Sequence, residues 1–140
     1  MGAKTIRDAI HGDIYLDAHE MEVVDTAPFQ RLRGIKQLGT SSLIFPSATH
    51  TRFEHSLGVC WLAKKMLAAL RNNSGRSELL KPQERMLCVA ALIHDITHIP
   101  FGHTFEDERR IFPRHDENPE RLDYFLNRPP LSDIFDRFGL

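Results

Sequence analysis

The sequence predicts an all-α domain with a small N-terminal β-hairpin, and three observations carry that prediction. Met86 to Ile93 is an unbroken apolar run, MLCVAALI, that ends in His94-Asp95. Such a run reads as a helix buried on nearly all sides, and it is far too short to span a membrane. His55, Val59, Leu62 and Met66 recur at steps of four, three and four, which marks one inward face of a helix over 51–70. Phe29, Leu32, Ile35 and Leu38 recur every three residues, an apolar stripe along a helix over 27–38.

Taken in order, Thr5 to Leu16 holds two β-prone pieces around His11-Gly12, a hairpin pattern. Asp17 is placed to cap a helix over 18–25, with Met21, Val23 and Val24 on its apolar side. Pro28 suits the first turn of the 27–38 helix, Gly39 its end, and Arg31, Arg33 and Lys36 lie off its apolar stripe. Residues 40–50 lack a helical period and read as a loop, with a short extended piece at Leu43 to Phe45. After the 51–70 helix, Asn72 to Lys81 is a polar linker, and Pro82 opens the central helix over 82–98. Pro100 and Gly102 break that helix and aim His103 from a loop. A short charged helix over 104–111 stops at Pro113. Asp116 or Asn118 caps a helix running to Asn127, with Leu122, Phe125 and Leu126 inward. The last stretch, LSDIFDRFGL, is amphipathic through Leu131, Ile134, Phe135 and Phe138.

The 140 residues suffice for one domain with a real core, and 41% hydrophobic with 26% charged residues is ordinary for a globular protein. A net charge of −1 supplies no general field for nucleic acid or membrane, so neither is an expected partner. Cys60 and Cys88 both fall in apolar helical patterns and read as buried free thiols. The N-terminus has no apolar signal region, and Ile6 breaks the myristoylation pattern, which points to the cytoplasm. The unusual feature is histidine. There are 8, at 11, 19, 50, 55, 94, 98, 103 and 115.

A carboxylate buried beside an imidazole costs several kcal/mol, roughly, unless something pairs with both. A divalent metal is the most general partner, since His and Asp both ligate it. His94-Asp95 therefore reads as metal-ligating, joined by His55 from the inward face of its helix. Adjacent residues on a helix point about 100° apart, so a shared ion requires a loosened helix end, which Pro100 favours. His11 and His19 read as hairpin or surface histidines, and His50 as a cap or orienter for the helix bearing His55.

The stretches IHGDIYL, VDTAPFQRLRGIKQLG, HTRFEHSLGV and ALIHDITHIPFGHTFE, in that order, resemble the HD-domain metal-dependent phosphohydrolases. The likeness is to the branch containing the dGTP and dNTP triphosphohydrolases. It implies an all-α fold and hydrolysis of phosphate esters at a divalent ion, with Mn, Mg, Fe, Zn and Ni not distinguished. By the same resemblance His55, His94 and Asp95 match metal ligands, and His98, His103, Glu106 and His115 match the catalytic pocket. Arg52 matches a phosphate contact, and Gln37 and Leu38 match the sugar pocket. Asp25, Arg31 and Arg33 match an allosteric nucleotide site. Thr97 departs from a position that is usually Gly in the close relatives. The family's fourth ligand, an Asp far downstream, has no match among Asp116, Asp123, Asp133 and Asp136. The expectation is a single HD domain over 1–140, the N-terminal part of a longer phosphohydrolase acting on nucleotides, with self-association or a missing C-terminal part completing it. Two other readings stay open: an iron oxygenase built on two His and a carboxylate, and a non-catalytic domain that binds a nucleotide or a partner chain.

Overall fold

The computed structural model describes residues 3–74 and 81–139. Strands β1 (Lys4–Asp8) and β2 (Gly12–Leu16) pair antiparallel with Ile6 opposite Ile14. Asp8 Oδ1 accepts from the amides of Ile10 and His11, and Gly12 takes φ 72° to close the turn. Strand alternation sends Ile14 and Leu16 into the core and Tyr15 outward. Asp17 caps α1 (Ala18–Val24) as its sequence position predicts. Its carboxylate accepts from the amide of Glu20, whose own carboxylate accepts from the amide of Asp17.

The predicted 27–38 helix is corrected. Only Ala27–Gln30 (α2) is α-helical, capped by Thr26, and Arg31–Gly34 tightens into a 3-10 turn. Ile35 then extends, because its carbonyl accepts from the amide of Arg52 at 2.8 Å and the amide of Gln37 donates to His50 at 3.1 Å. Pairing with the segment that opens the next helix competes with the helix and wins. Phe29, Leu32 and Ile35 are buried as expected, but Leu38 is exposed. The Leu43 to Phe45 piece is also not extended. Ser41–Leu43 is a 3-10 turn, and Leu43, Ile44 and Phe45 face solvent.

Helices α3 (Arg52–Ser74) and α4 (Lys81–Ile93) form the main packed pair. The inward face of α3 differs from the predicted one. Phe53, Leu57, Cys60 and Leu67 are buried, while Leu62 and Met66 are exposed and His55 sits at the rim. Lys64 belongs to the inner stripe by spacing. Its stem crosses the packed surface so that its ammonium meets the buried Glu20 carboxylate and the carbonyl of Tyr15. A cation on the inner face hides that face from a hydrophobicity pattern. Similarly α4 is buried on one side only. Cys88, Val89 and Leu92 are inside, whereas Met86 and Leu87 are exposed and the helix ends at Ile93 rather than 98. Cys60 and Cys88 are free and buried. Its hydrogen bond to Cys88 and burial push the Cys60 thiol far up, so it stays protonated.

The predicted linker begins later than expected, since α3 runs to Ser74, and residues 75–80 lie outside the described residues. Thr104–Glu108 forms a π-helical turn in place of the 104–111 helix. Asn118, not Asp116, caps α5 (Pro119–Leu126), accepting from the amide of Arg121. Helix α6 (Leu131–Phe138) buries Leu131 and Ile134, ends at Gly139 with φ 65°, and ties to α1 through Arg137 and Glu22 at 2.7 Å. No helix among the described residues is long and apolar enough to cross a membrane.

Candidate metal centre

The site forms where α4 ends. After Ile93 the chain tightens, with the amide of Ile96 on the Ile93 carbonyl and that of His98 on the Asp95 carbonyl. This loosened turn lets neighbours His94 and Asp95 point to one place. Arg31 secures the turn from below, donating to the carbonyls of Ile96 at 2.6 Å and His98 at 2.9 Å. These carbonyls lie in the turn past the end of α4, where no helical amide follows to meet them.

His55, on the first turn of α3, faces His94 with their Nε2 atoms 3.2 Å apart. His94 Nδ1 lies 2.8 Å from the Ala91 carbonyl, so that nitrogen carries the proton and Nε2 presents a lone pair. The Asp95 carboxylate oxygens stand 3.7 Å from His55 Nε2 and 3.5 Å from His94 Nε2. An ion with bonds of about 2.1 Å holds neighbouring donors roughly 3.0–3.4 Å apart, the lower figure octahedral and the higher tetrahedral. The His55–His94 spacing falls within that range and the two Asp95 spacings lie just beyond it, so the three side chains could hold a divalent ion after closing by a few tenths of an ångström. Burial lowers the His55 pKa despite the nearby Asp95 carboxylate, which keeps that ring neutral and able to ligate. For Asp95, burial pushes its pKa up, but His94, Arg52 and His98 outweigh it and hold the carboxyl below its usual range. Among the described residues no fourth donor joins this trio. Asp116, Asp123, Asp133 and Asp136 are all exposed.

Arg52, expected at a phosphate, is almost fully buried and donates to Asp95 at 2.7 Å. The His50 carbonyl, just before α3, accepts from the amide of Gln37 at 3.1 Å. At the start of α3 the Glu54 carboxylate accepts from the Thr51 amide and hydroxyl. His11 stays in the hairpin turn, its ring against Gly58, and His19 packs edge-on against Phe138 at 4.0 Å.

Beyond Asp95 the four residues expected in the catalytic pocket gather. His98 is fully buried and stacks on His115 at 3.5 Å and 27°. Burial, with the Arg52 guanidinium nearby, lowers the His98 pKa to about 3, so it is neutral. Both its nitrogens lack a hydrogen-bond partner. His115 Nδ1 meets Glu106 at 3.1 Å, and Arg121 donates to the other Glu106 oxygen at 2.8 Å. His103 is exposed and pairs with Asp107 at 2.9 Å. Gln37, Leu38, Arg52, Phe101 and His103 share the walls of a cleft of about 390 Å³. Of the residues matched to an allosteric site, Asp25 pairs with Lys4 at 3.7 Å and Arg33 lies over the Phe53 ring at 3.5 Å. Arg31 is committed to the 96–98 turn. Three features escaped sequence reasoning: the Arg121–Glu106 pair, the Thr97 hydroxyl on the His115 carbonyl at 3.0 Å, and Phe101 at φ 60°. Only Thr97 left a signal, as a departure from the resembled pattern.

A sequence model of the HD domain matches residues 52–125, which span α3, the His94-Asp95 turn and most of α5. The chain belongs to the HD-domain family. It is similar to an uncharacterised protein of Methanocaldococcus jannaschii, 50% identical over 103 residues that cover 74% of this chain and 21% of that protein. It is 42% identical over 104 residues to the deoxynucleoside triphosphate triphosphohydrolase SAMHD1 homolog of Dictyostelium discoideum, covering 74% of this chain and 20% of the relative. It is 38% identical over 148 aligned residues to deoxynucleoside triphosphate triphosphohydrolase SAMHD1 of Homo sapiens, covering 98% of this chain and 23% of the relative. The chain thus spans about a fifth to a quarter of the curated relatives it matches.

Proposed function

We propose that this chain is the metal-bearing HD domain of a phosphohydrolase that acts on nucleoside triphosphates, and that it forms the N-terminal part of a longer protein. The observation that carries this reading is the convergence of His55, His94 and Asp95 at donor spacing beside a cleft lined by Gln37, Arg52 and His103. Those three side chains would hold a divalent ion, which when bound polarises a phosphoryl oxygen and lowers the pKa of a water. The chain's own groups supply the rest. Gln37 and Leu38 would hold the sugar, with Arg52 and His103 at the phosphate end. His115, oriented by Glu106, is placed to hold or move a proton, work typically worth roughly 10²–10⁴-fold. The relatives named as dNTP triphosphohydrolases support a triphosphate as substrate. A second copy or further chain would cover the exposed Met86 and Leu87 face of α4.

A second reading, binding without turnover, draws on the Arg52–Asp95 ion pair, which ties up the expected phosphate contact. One experiment separates them. The purified chain is titrated with Mn²⁺ by calorimetry and then incubated with dGTP, with products resolved by chromatography. Metal binding that is lost in His94→Gln, with release of deoxyguanosine and triphosphate, supports the hydrolase. Metal-dependent dGTP binding with no product favours the second reading, and no metal binding refutes both.

A further inference from the structure

His115 has to be held in place by something other than its own backbone. It lies between the π-turn and α5 in a segment without regular structure, where Arg110 sits at φ 51° and Ile111 and Phe112 are exposed. Yet its ring is stacked on His98 at 3.5 Å, and its side chain is only 12% exposed. Two contacts from outside the segment account for this. The Thr97 hydroxyl, on a residue that is 3% exposed, donates to the His115 carbonyl at 3.0 Å and pins the main chain. Arg121, on the first turns of α5, donates to Glu106 at 2.8 Å and holds that carboxylate where its other oxygen meets His115 Nδ1 at 3.1 Å.

We propose that Thr97 and Arg121 are positioning residues that clamp His115 over His98, Thr97 through the backbone and Arg121 through Glu106. Thr97 is the nearer control of position, because its partner is His115 itself and it leaves the turn beside Asp95. Arg121 fixes the ring's rotation, because it faces a carboxylate whose side chain is 0% exposed and which accepts from both neighbours. The clamp matters for catalysis only on the hydrolase reading above, since a displacement of about 1 Å at a reacting group costs up to roughly 100-fold. Its existence does not depend on that reading.

The test compares Thr97→Val, which keeps shape and loses the hydroxyl, with Thr97→Ser, which keeps the hydroxyl, and with Arg121→Met. Carbon-proton NMR spectra of histidine-labelled protein read the clamp directly, because stacked rings shift each other's protons upfield. His→Gln variants assign the resonances. The expected result is an upfield pair for His98 and His115 in the wild type and in Thr97→Ser. That shift collapses in Thr97→Val and shrinks in Arg121→Met, while the amide spectrum keeps its dispersion. With Mn²⁺ and dGTP, Thr97→Val then loses about tenfold or more in kcat at unchanged KM. Unaltered ring shifts in both Thr97→Val and Arg121→Met would overturn the proposal. So would equal losses in Thr97→Val and Thr97→Ser, which would mean packing rather than the hydroxyl. Collapsed shifts in a protein that never hydrolyses dGTP, wild type included, would support the clamp and refute the hydrolase.

Discussion

Asp95 faces a cation on one side and two imidazoles on the other. Its buried carboxylate takes Arg52 at 2.7 Å on one side and faces His55 and His94 on the other. Neither Arg52 nor Asp95 is more than a few per cent exposed, so removing one partner strands the other. Asp95→Asn should abolish metal binding and cost about 3–5 kcal/mol in urea unfolding, whereas replacing both residues by apolar side chains of similar size should recover most of that loss. A single variant of wild-type stability would show that Arg52 relaxes to solvent. His98 gives a second prediction at this scale. Its pKa is lowered to about 3, below the unfolded value, so the folded state binds fewer protons than the unfolded one. Its contribution is fully present above the unfolded pKa of about 6.5 and is lost progressively as pH falls toward 3. Between pH 7 and 5 that loss is roughly 2 kcal/mol. Urea titrations of wild type and His98→Gln at both pH values check it: the wild type should lose that much more than the variant. Parallel losses would mean that His98 protonates freely in the fold. His55, His94 and Asp95 were legible as a site because sequence chemistry alone makes a buried His-Asp pair demand a partner. The Arg52–Asp95 pair was not legible, because nothing in a sequence distinguishes an arginine that awaits a phosphate from one already paired.

Among the elements, the turn from Pro100 to Glu108 does the most to shape the pocket. Gly102 is buried there, and a Cβ on it would stand 2.5 Å from His98 Nδ1. The close approach needs a residue without a side chain, because His98 is sealed on its other side by His115. Gly102→Ala should therefore cost about 1–3 kcal/mol in thermal unfolding and break the His98–His115 stack. An alanine variant with unchanged stability would mean that the π-turn shifts at no cost. The hairpin, the Asp17 cap, the terminal amphipathic helix and the existence of both long helices were legible, since local chemistry fixes each of them. The inner face of α3 was not. Lys64 and Arg52 sit on buried surface and meet Glu20 and Asp95, which come from distant parts of the chain. The 27–38 helix failed for a related reason. The backbone of Ile35 and Gln37 finds its partners at His50 and Arg52, and no local pattern announces that pairing.

At the scale of the whole molecule, the candidate centre joins the two longest helices of the described residues. His55 comes from the start of α3, and His94 and Asp95 from the end of α4. A bound ion would bridge elements that are separate in the unfolded chain, so binding and folding must be linked. If the ion binds the folded chain alone, stability rises by RT ln(1 + [M]/Kd), about 2.7 kcal/mol at a hundredfold excess over Kd. Thermal unfolding across a Mn²⁺ series should then show a midpoint that climbs with concentration in the wild type. His94→Gln should stay flat, and chelator should return the wild type to its starting value. Because no fourth His, Cys, Asp or Glu joins His55, His94 and Asp95 among the described residues, the climb should begin at higher metal concentration than a four-donor centre needs. A longer version of the chain that supplies a further carboxylate should shift that onset downward. A wild type whose midpoint ignores metal would show that the His55–His94 contact is closed by a proton and not by an ion.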